Sequence, residues 1–142
     1  KILLVDDESI ALQTMENNPA AVLNPYHPEA SNAADAWTII QTENPDILFS
    51  DIQMPCENGI SLLQKISESQ LKLLVIFVSG YSEFSYAQAA LKYDAFDYLL
   101  KPLNSEVFLS CLKKAINVNS GTGKYGKQKK YFPNFLRKIK VF

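Results

Sequence analysis

Short apolar runs alternating with stretches of helical spacing constrain this chain more than any other feature of its sequence. Ile2–Val5 is the first run, and residues 46–50, 73–78 and 96–100 repeat it. Residues 26–30 supply a weaker one, and Pro28, which has no N–H to give a ladder, confines it to a sheet edge. Between the runs, apolar residues return at helical intervals. Residues 8–17 carry Ile10, Ala11, Leu12 and Met15; Ala33–Glu43 carries Ala36, Trp37 and Ile40 behind a Ser31 or Asn32 cap. Residues 60–68 present Ile60, Leu63 and Ile66, and residues 83–93 present Phe84, Ala87 and Leu91. A last helix, capped by Asn104 or Ser105, presents Val107, Phe108, Cys111, Leu112, Ala115 and Ile116. Buried strands alternating with amphipathic helices predict an α/β domain, a parallel sheet covered on both faces. Pro19, Pro25 and Pro28 fall within twelve positions, so the first helix should end early and the second strand should be irregular.

Composition narrows the class further. A chain of 142 residues, 47% apolar and 20% charged, suits one soluble domain with a short appendage. No apolar run approaches the roughly 20 residues of a membrane span, and the first residues lack the shape of a signal peptide. A cytoplasmic protein with no membrane partner is expected. Cys56 and Cys111 lie far apart with a single His in the chain, which reads as two reduced thiols and not as a metal or disulfide pair. The net charge of −1 conceals a split: residues 1–120 hold all 15 acids against 7 bases, net −8, and residues 121–142 hold the other 7 bases and no acid, net +7. This break puts a domain of residues 1–118 before a distinct segment of residues 119–142.

In doubly wound sheets the functional crevice lies beyond the carboxyl ends of the strands. There the chain places Asp6-Asp7 after the first strand, Asp51 after the third, Ser79-Gly80 after the fourth and Lys101-Pro102 after the fifth. Each has a plainer reading alone: a helix N-terminus for the acid pair, a turn for Ser79-Gly80, a cap for Asp51, a solvated lysine for Lys101. Their arrival on one rim is what argues for a site. Three clustered carboxylates repel unless a cation sits among them, and hard oxygen ligands favour Mg²⁺ over Zn²⁺. An ammonium and a hydroxyl opposite suit an anion with several oxygens, such as a phosphoryl group.

The motifs "LLVDDE", "DIQMPCENGI", "VSGY" and "DYLLKPL", in this order and at these intervals, resemble the receiver domain of bacterial two-component response regulators over about residues 1–118. The resemblance implies a flavodoxin-like five-stranded sheet of order 2-1-3-4-5 and a phosphoryl group accepted on Asp51 from a sensor histidine kinase. It assigns Mg²⁺ to Asp7 and Asp51, with Asp6 nearby and the backbone carbonyl of Gln53 as a further ligand. Ser79 and Lys101 match the residues that hold the phosphoryl oxygens, the bond before Pro102 should be cis, and Gly59 should serve the turn after the third strand. Gln53 and Tyr81 flank the water's approach and should tune hydrolysis of the acyl phosphate. Ser79 and Tyr98 should switch the surface of the fourth helix, fifth strand and fifth helix, which is also the expected homodimer surface.

Residues 119–142 are not receiver. They read as a solvated basic linker or as the opening of an absent output domain, with contact to DNA backbone the sharper alternative. "RKIKVF" alternates like a first strand and favours a winged-helix or LytTR-type output over an AraC-type one, whereas the "SGYSEFSYAQAALKYDAFDYLLKPL" stretch resembles receivers attached to AraC-type outputs. Two rivals stand beside the switch reading. A small Mg²⁺-dependent phosphohydrolase could use the same aspartate, although no cap insertion is visible. A pseudo-receiver would have lost Asp51, Lys101 or the acid pair, and none is lost. The expected activity is therefore self-phosphorylation and slow self-dephosphorylation, not that of an enzyme with turnover.

Overall fold

A computed structural model of the chain describes residues 1–6, 29–54, 56–80 and 84–120. Strands β1 (Ile2–Val5), β2 (Glu29–Ala30), β3 (Ile47–Ser50), β4 (Leu74–Ser79) and β5 (Asp97–Leu100) form one sheet in the order β2-β1-β3-β4-β5, every neighbouring pair parallel. Helices α1 (Ala33–Glu43), α2 (Gly59–Glu68), α3 (Phe84–Lys92) and α4 (Ser105–Asn119) alternate with the strands. This is the doubly wound, flavodoxin-like order. The predicted helix over residues 8–17 and most of the proline-rich segment up to residue 28 lie outside the described residues. The helices expected as second to fifth are thus α1 to α4.

Alternation along each strand builds two cores. Leu3, Val5, Leu48, Val75, Phe77 and Tyr98 face α1, α2 and α3, meeting Ala36, Ile40, Leu62, Leu63, Ile66 and Ala90. Leu4, Ile47, Phe49, Ile76, Val78 and Leu99 point the other way onto Phe108, Cys111, Leu112 and Ala115 of α4. Because the side-chain period of a strand is two, a central strand covered on both faces must be apolar throughout, as "ILF" and "LVIFV" are. Fully burying one such side chain contributes about 1.5–3 kcal/mol, so these central strands form a stiff platform for whatever follows them.

Three of the helix starts are set by asparagine. The side chains of Asn32, Asn58 and Asn104 accept from the N–H groups of Asp35, of Ser61, and of Glu106 and Val107. Each satisfies donors that the first turn leaves unpaired. Of the alternatives in the sequence, Asn32 caps α1 and Asn104 caps α4, with Ser105 the first helical residue. Asn44 closes α1 in the left-handed region, φ 47°, just before Pro45. β4 begins and ends one residue later than the apolar run suggests, because the ladder continues through the polar Ser79, whose carbonyl accepts from Lys101 N–H at 2.9 Å. β5 is assigned from Asp97, although Phe96 N–H already reaches Val75 O at 2.7 Å. Of the expected second strand the described residues hold Glu29 and Ala30, paired with Leu4 and Val5 at the sheet edge. Among the stripe residues, Leu91, Val107 and Ile116 are 38%, 42% and 43% exposed, so the buried faces of α3 and α4 are narrower than the helical spacing implied.

Candidate functional site

Parallel strands end on one rim, and the ladder registers bring their last residues level. Val5 pairs with Ser50, Ser50 with Phe77, and Ser79 with Leu100. One step further, Asp51 N–H donates to Val5 O at 2.8 Å and Asp6 N–H donates to Ala30 O at 3.1 Å. The backbones of Asp6, Asp51 and Lys101 are therefore fixed to the sheet although each lies just past a strand.

Their side chains meet. The Lys101 ammonium donates to Asp51 Oδ2 at 2.9 Å and to Asp6 Oδ2 at 3.0 Å. Asp6 and Asp51 are 2% and 7% exposed, so neither carboxylate can rely on bulk water. Burial disfavours the ammonium, but the Asp51 and Asp6 carboxylates outweigh it and hold Lys101 above the ordinary lysine value. Two buried negative charges share one positive charge. A cluster of net negative charge results, held by groups 95 and 50 residues apart in the chain.

The second oxygen of Asp51 takes the Gln53 backbone N–H at 3.2 Å. Ser79, fully buried, ends the neighbouring strand. The Lys101–Pro102 peptide is cis. Tyr98 is buried, 5% exposed, with its ring edge-on to Phe77 at a centroid distance of 6.4 Å, so in this structure it lies inward. Gly59 acts by closeness: a Cβ there would collide with the Asp51 carbonyl oxygen and meet Ile52 Cα and the Phe77 ring at 3.1 Å. Its backbone is not in the left-handed region, so the close approach and not a positive φ is what requires glycine here. Its N–H donates to Ile52 O at 2.8 Å, docking the start of α2 against the loop that carries Asp51.

Asp7 and Tyr81, expected in the site, lie outside the described residues, as does Pro55. One participant has no sequence signal. Tyr86, half-buried in the first turn of α3, accepts a hydrogen bond from Gln53 Nε2 at 3.1 Å. Its position beside Ala87 on the inner face could have placed it near the sheet, but nothing in the sequence pairs it with Gln53.

Among the described residues no group of three His, Cys, Asp or Glu forms a metal cluster. The described donors are the Asp6 and Asp51 carboxylates, with the Gln53 carbonyl in the adjoining loop. An all-oxygen set with a net negative charge fits Mg²⁺, which takes few protein carboxylates and keeps waters. The same charge balance explains why the Lys101 ammonium is drawn between the two acids.

The family model described as the response regulator receiver domain matches residues 2–113. The chain belongs to the response regulator receiver family. It is 36% identical over 122 residues to the transcriptional regulatory protein YesN of Bacillus subtilis, covering 82% of this chain and 32% of that one. It is also 36% identical over 121 residues to a positive alginate biosynthesis regulatory protein of Pseudomonas aeruginosa, covering 83% and 48%. The crystal structure of a CheY-like response regulator receiver domain protein from Methanospirillum hungatei superposes with a TM-score of 0.77 at 25% identity, covering 86% of this chain and 97% of that one. The chain thus spans about a third to a half of the curated relatives it matches. Among the described residues of this receiver, no helix is long and apolar enough to cross a membrane.

Proposed function

We propose that this receiver accepts a phosphoryl group on Asp51 from a histidine of a sensor kinase and relays the event to an attached output domain. The observation that carries the reading is the Lys101 ammonium held at 2.9 Å from Asp51 and 3.0 Å from Asp6 on the open rim of the sheet. A carboxylate oxygen of Asp51 attacks phosphorus in line; the P–N bond of phosphohistidine breaks as the P–O bond forms, and the imidazole leaves with the electron pair. Lys101 would offset charge on one phosphoryl oxygen and Ser79 would donate its hydroxyl to another. Asp6, Asp7, Asp51 and the Gln53 carbonyl would hold Mg²⁺, whose charge, when bound, offsets that of the remaining oxygens. Gln53 and Tyr81 would set how fast water reaches the acyl phosphate.

Switching would run through Ser79 and Tyr98. A phosphoryl group that draws the Ser79 hydroxyl toward it leaves room behind, into which the already inward Tyr98 ring can move further. The surface affected is α3, β5 and α4, where Leu91, Leu100 and Val107 stay exposed at the sheet's edge. An apolar edge of this kind suits a second copy or an output domain. The names of the two curated relatives, both regulatory proteins, favour a transcriptional output that contacts DNA. The domain would be residues 1–118, with residues 119–142 a basic linker or the opening of that output, and the protein would work in the cytoplasm. Acetyl phosphate or phosphoramidate with Mg²⁺, read by intact mass, tests the proposal. One added phosphoryl group, absent in Asp51→Asn, is expected. Steady release of phosphate from an aryl phosphate would favour the phosphohydrolase reading instead.

A further inference from the structure

Gln53 leaves the site in an unexpected direction. Its backbone N–H holds Asp51 Oδ1, while its side chain reaches across to α3 and gives Nε2–H to the phenol oxygen of Tyr86 at 3.1 Å. β3 and β4 are adjacent, and α3 follows β4, so this hydrogen bond spans the carboxyl edge of the sheet beside the Asp51 carboxylate. Gln53 itself is exposed and would be free to swing away; Tyr86 is half-buried and packs against the core shared by α1, α2 and α3. Of the two partners, the ring is the one held by packing.

We propose that Tyr86 is a positioning residue that latches Gln53 over one side of the Asp51 carboxylate and slows the entry of water to it. This rests on Asp51 being the phosphoacceptor. The latched amide covers the flank between the loop after β3 and the helix after β4, and water must displace it before it can line up behind phosphorus. A neutral hydrogen bond of ordinary net strength favours the closed arrangement over the open one by roughly two- to tenfold. Because Tyr86 rides on α3, a partner that shifts α3 also opens the latch. Occupancy of the α3 surface would in this way change the lifetime of the phosphorylated state.

The test uses the full chain, phosphorylated with acetyl phosphate and Mg²⁺, desalted, and followed by intact mass as the phosphoryl group is lost. Tyr86→Phe keeps the packed ring and removes only the phenol oxygen. Loss of the phosphoryl group should be about two- to tenfold faster than in the unaltered chain. In a Gln53→Ala background, Tyr86→Phe should change the rate no further, since there is no amide left to hold. The Gln53 side-chain amide pair in a ¹⁵N–¹H spectrum, identified by its absence in Gln53→Ala, should move in Tyr86→Phe. Equal decay in the unaltered chain and Tyr86→Phe overturns the latch, as does the same acceleration in both Gln53 backgrounds. No mass gain even in the unaltered chain overturns the phosphoacceptor reading, and the latch with it.

Discussion

Replacing Lys101 by Met tests the electrostatics of the site without any phosphoryl donor. Methionine keeps an unbranched apolar stem and removes the ammonium, leaving Asp6 and Asp51 facing each other at 2% and 7% exposure. Removing one partner of a buried ion pair costs about 3–5 kcal/mol, because the other charge is left uncompensated. The Lys101 side chain keeps 19% of its surface in water, which screens the interaction, so about 2–3 kcal/mol is expected here. With a urea slope of about 1–3 kcal/mol per molar, the unfolding midpoint should fall by roughly 0.7–3 M at pH 7.

The pH dependence follows from the same contacts. The folded Lys101 value is raised above its ordinary 10.5 by the two carboxylates. A raised lysine contributes fully below the unfolded value and loses that contribution as pH rises through the folded one. The stability gap between the unaltered chain and Lys101→Met should therefore be constant from neutral pH to the ordinary lysine range. It should close only at more alkaline pH. Urea titrations of both proteins across that range supply the curve. An unchanged midpoint at pH 7, or a gap that persists undiminished far above the lysine range, would refute the argument.

Gly59→Ala should destabilise by about 1–3 kcal/mol, since its Cβ must displace the Asp51 carbonyl or the Phe77 ring. A lowered urea midpoint with an unchanged slope is the expected readout, and a variant as stable as the parent would contradict the close approach. The cysteines should separate by reactivity. Cys56 is exposed, whereas Cys111 is buried with its Sγ 3.6 Å from Asp97 Oδ2, and burial followed by the Asp97 charge pushes its thiol up. Only the thiolate reacts, so a thiol reagent should label one cysteine quickly in the folded chain and the second after denaturation. Equal rates for both would contradict the packing of α4.

What could be read from the sequence was whatever follows from chain order and period. The "LLV", "ILF" and "LVIFV" runs announce strands because both faces of a central parallel strand are covered. Once the strands are parallel, Asp6, Asp51, Ser79 and Lys101 must share an edge. What could not be read depends on three-dimensional approach. Lys101 spans Asp6 and Asp51 because β5 and β1 flank β3 and β4 in the sheet, and no local pattern states that span. Gly59 was legible as serving the turn after β3, but not its close contact with the Asp51 carbonyl, which belongs to a backbone eight positions earlier. Leu91, Val107 and Ile116 match the helical spacing, yet they stand at the margins of stripes that β5, an edge strand, is too narrow to cover. Asp97 falls inside the run of residues 96–100, but nothing in that run says that its carboxylate is buried. Asp97 is the first strand residue, 3% exposed, accepting from Tyr98 N–H at 2.8 Å.

A phosphoryl group on Asp51 would be an acyl phosphate, whose chemistry can be measured directly. The chain is phosphorylated with acetyl phosphate and Mg²⁺, treated with hydroxylamine, digested and mapped by mass spectrometry. Hydroxylamine cleaves an acyl phosphate and leaves a hydroxamate on the carboxyl carbon, whereas a serine or threonine ester survives. Loss of the phosphoryl group and a single hydroxamate on the peptide containing Asp51 are expected, with neither in Asp51→Asn. A phosphoryl group that resists hydroxylamine, or a hydroxamate at any other acid, would contradict phosphorylation of Asp51.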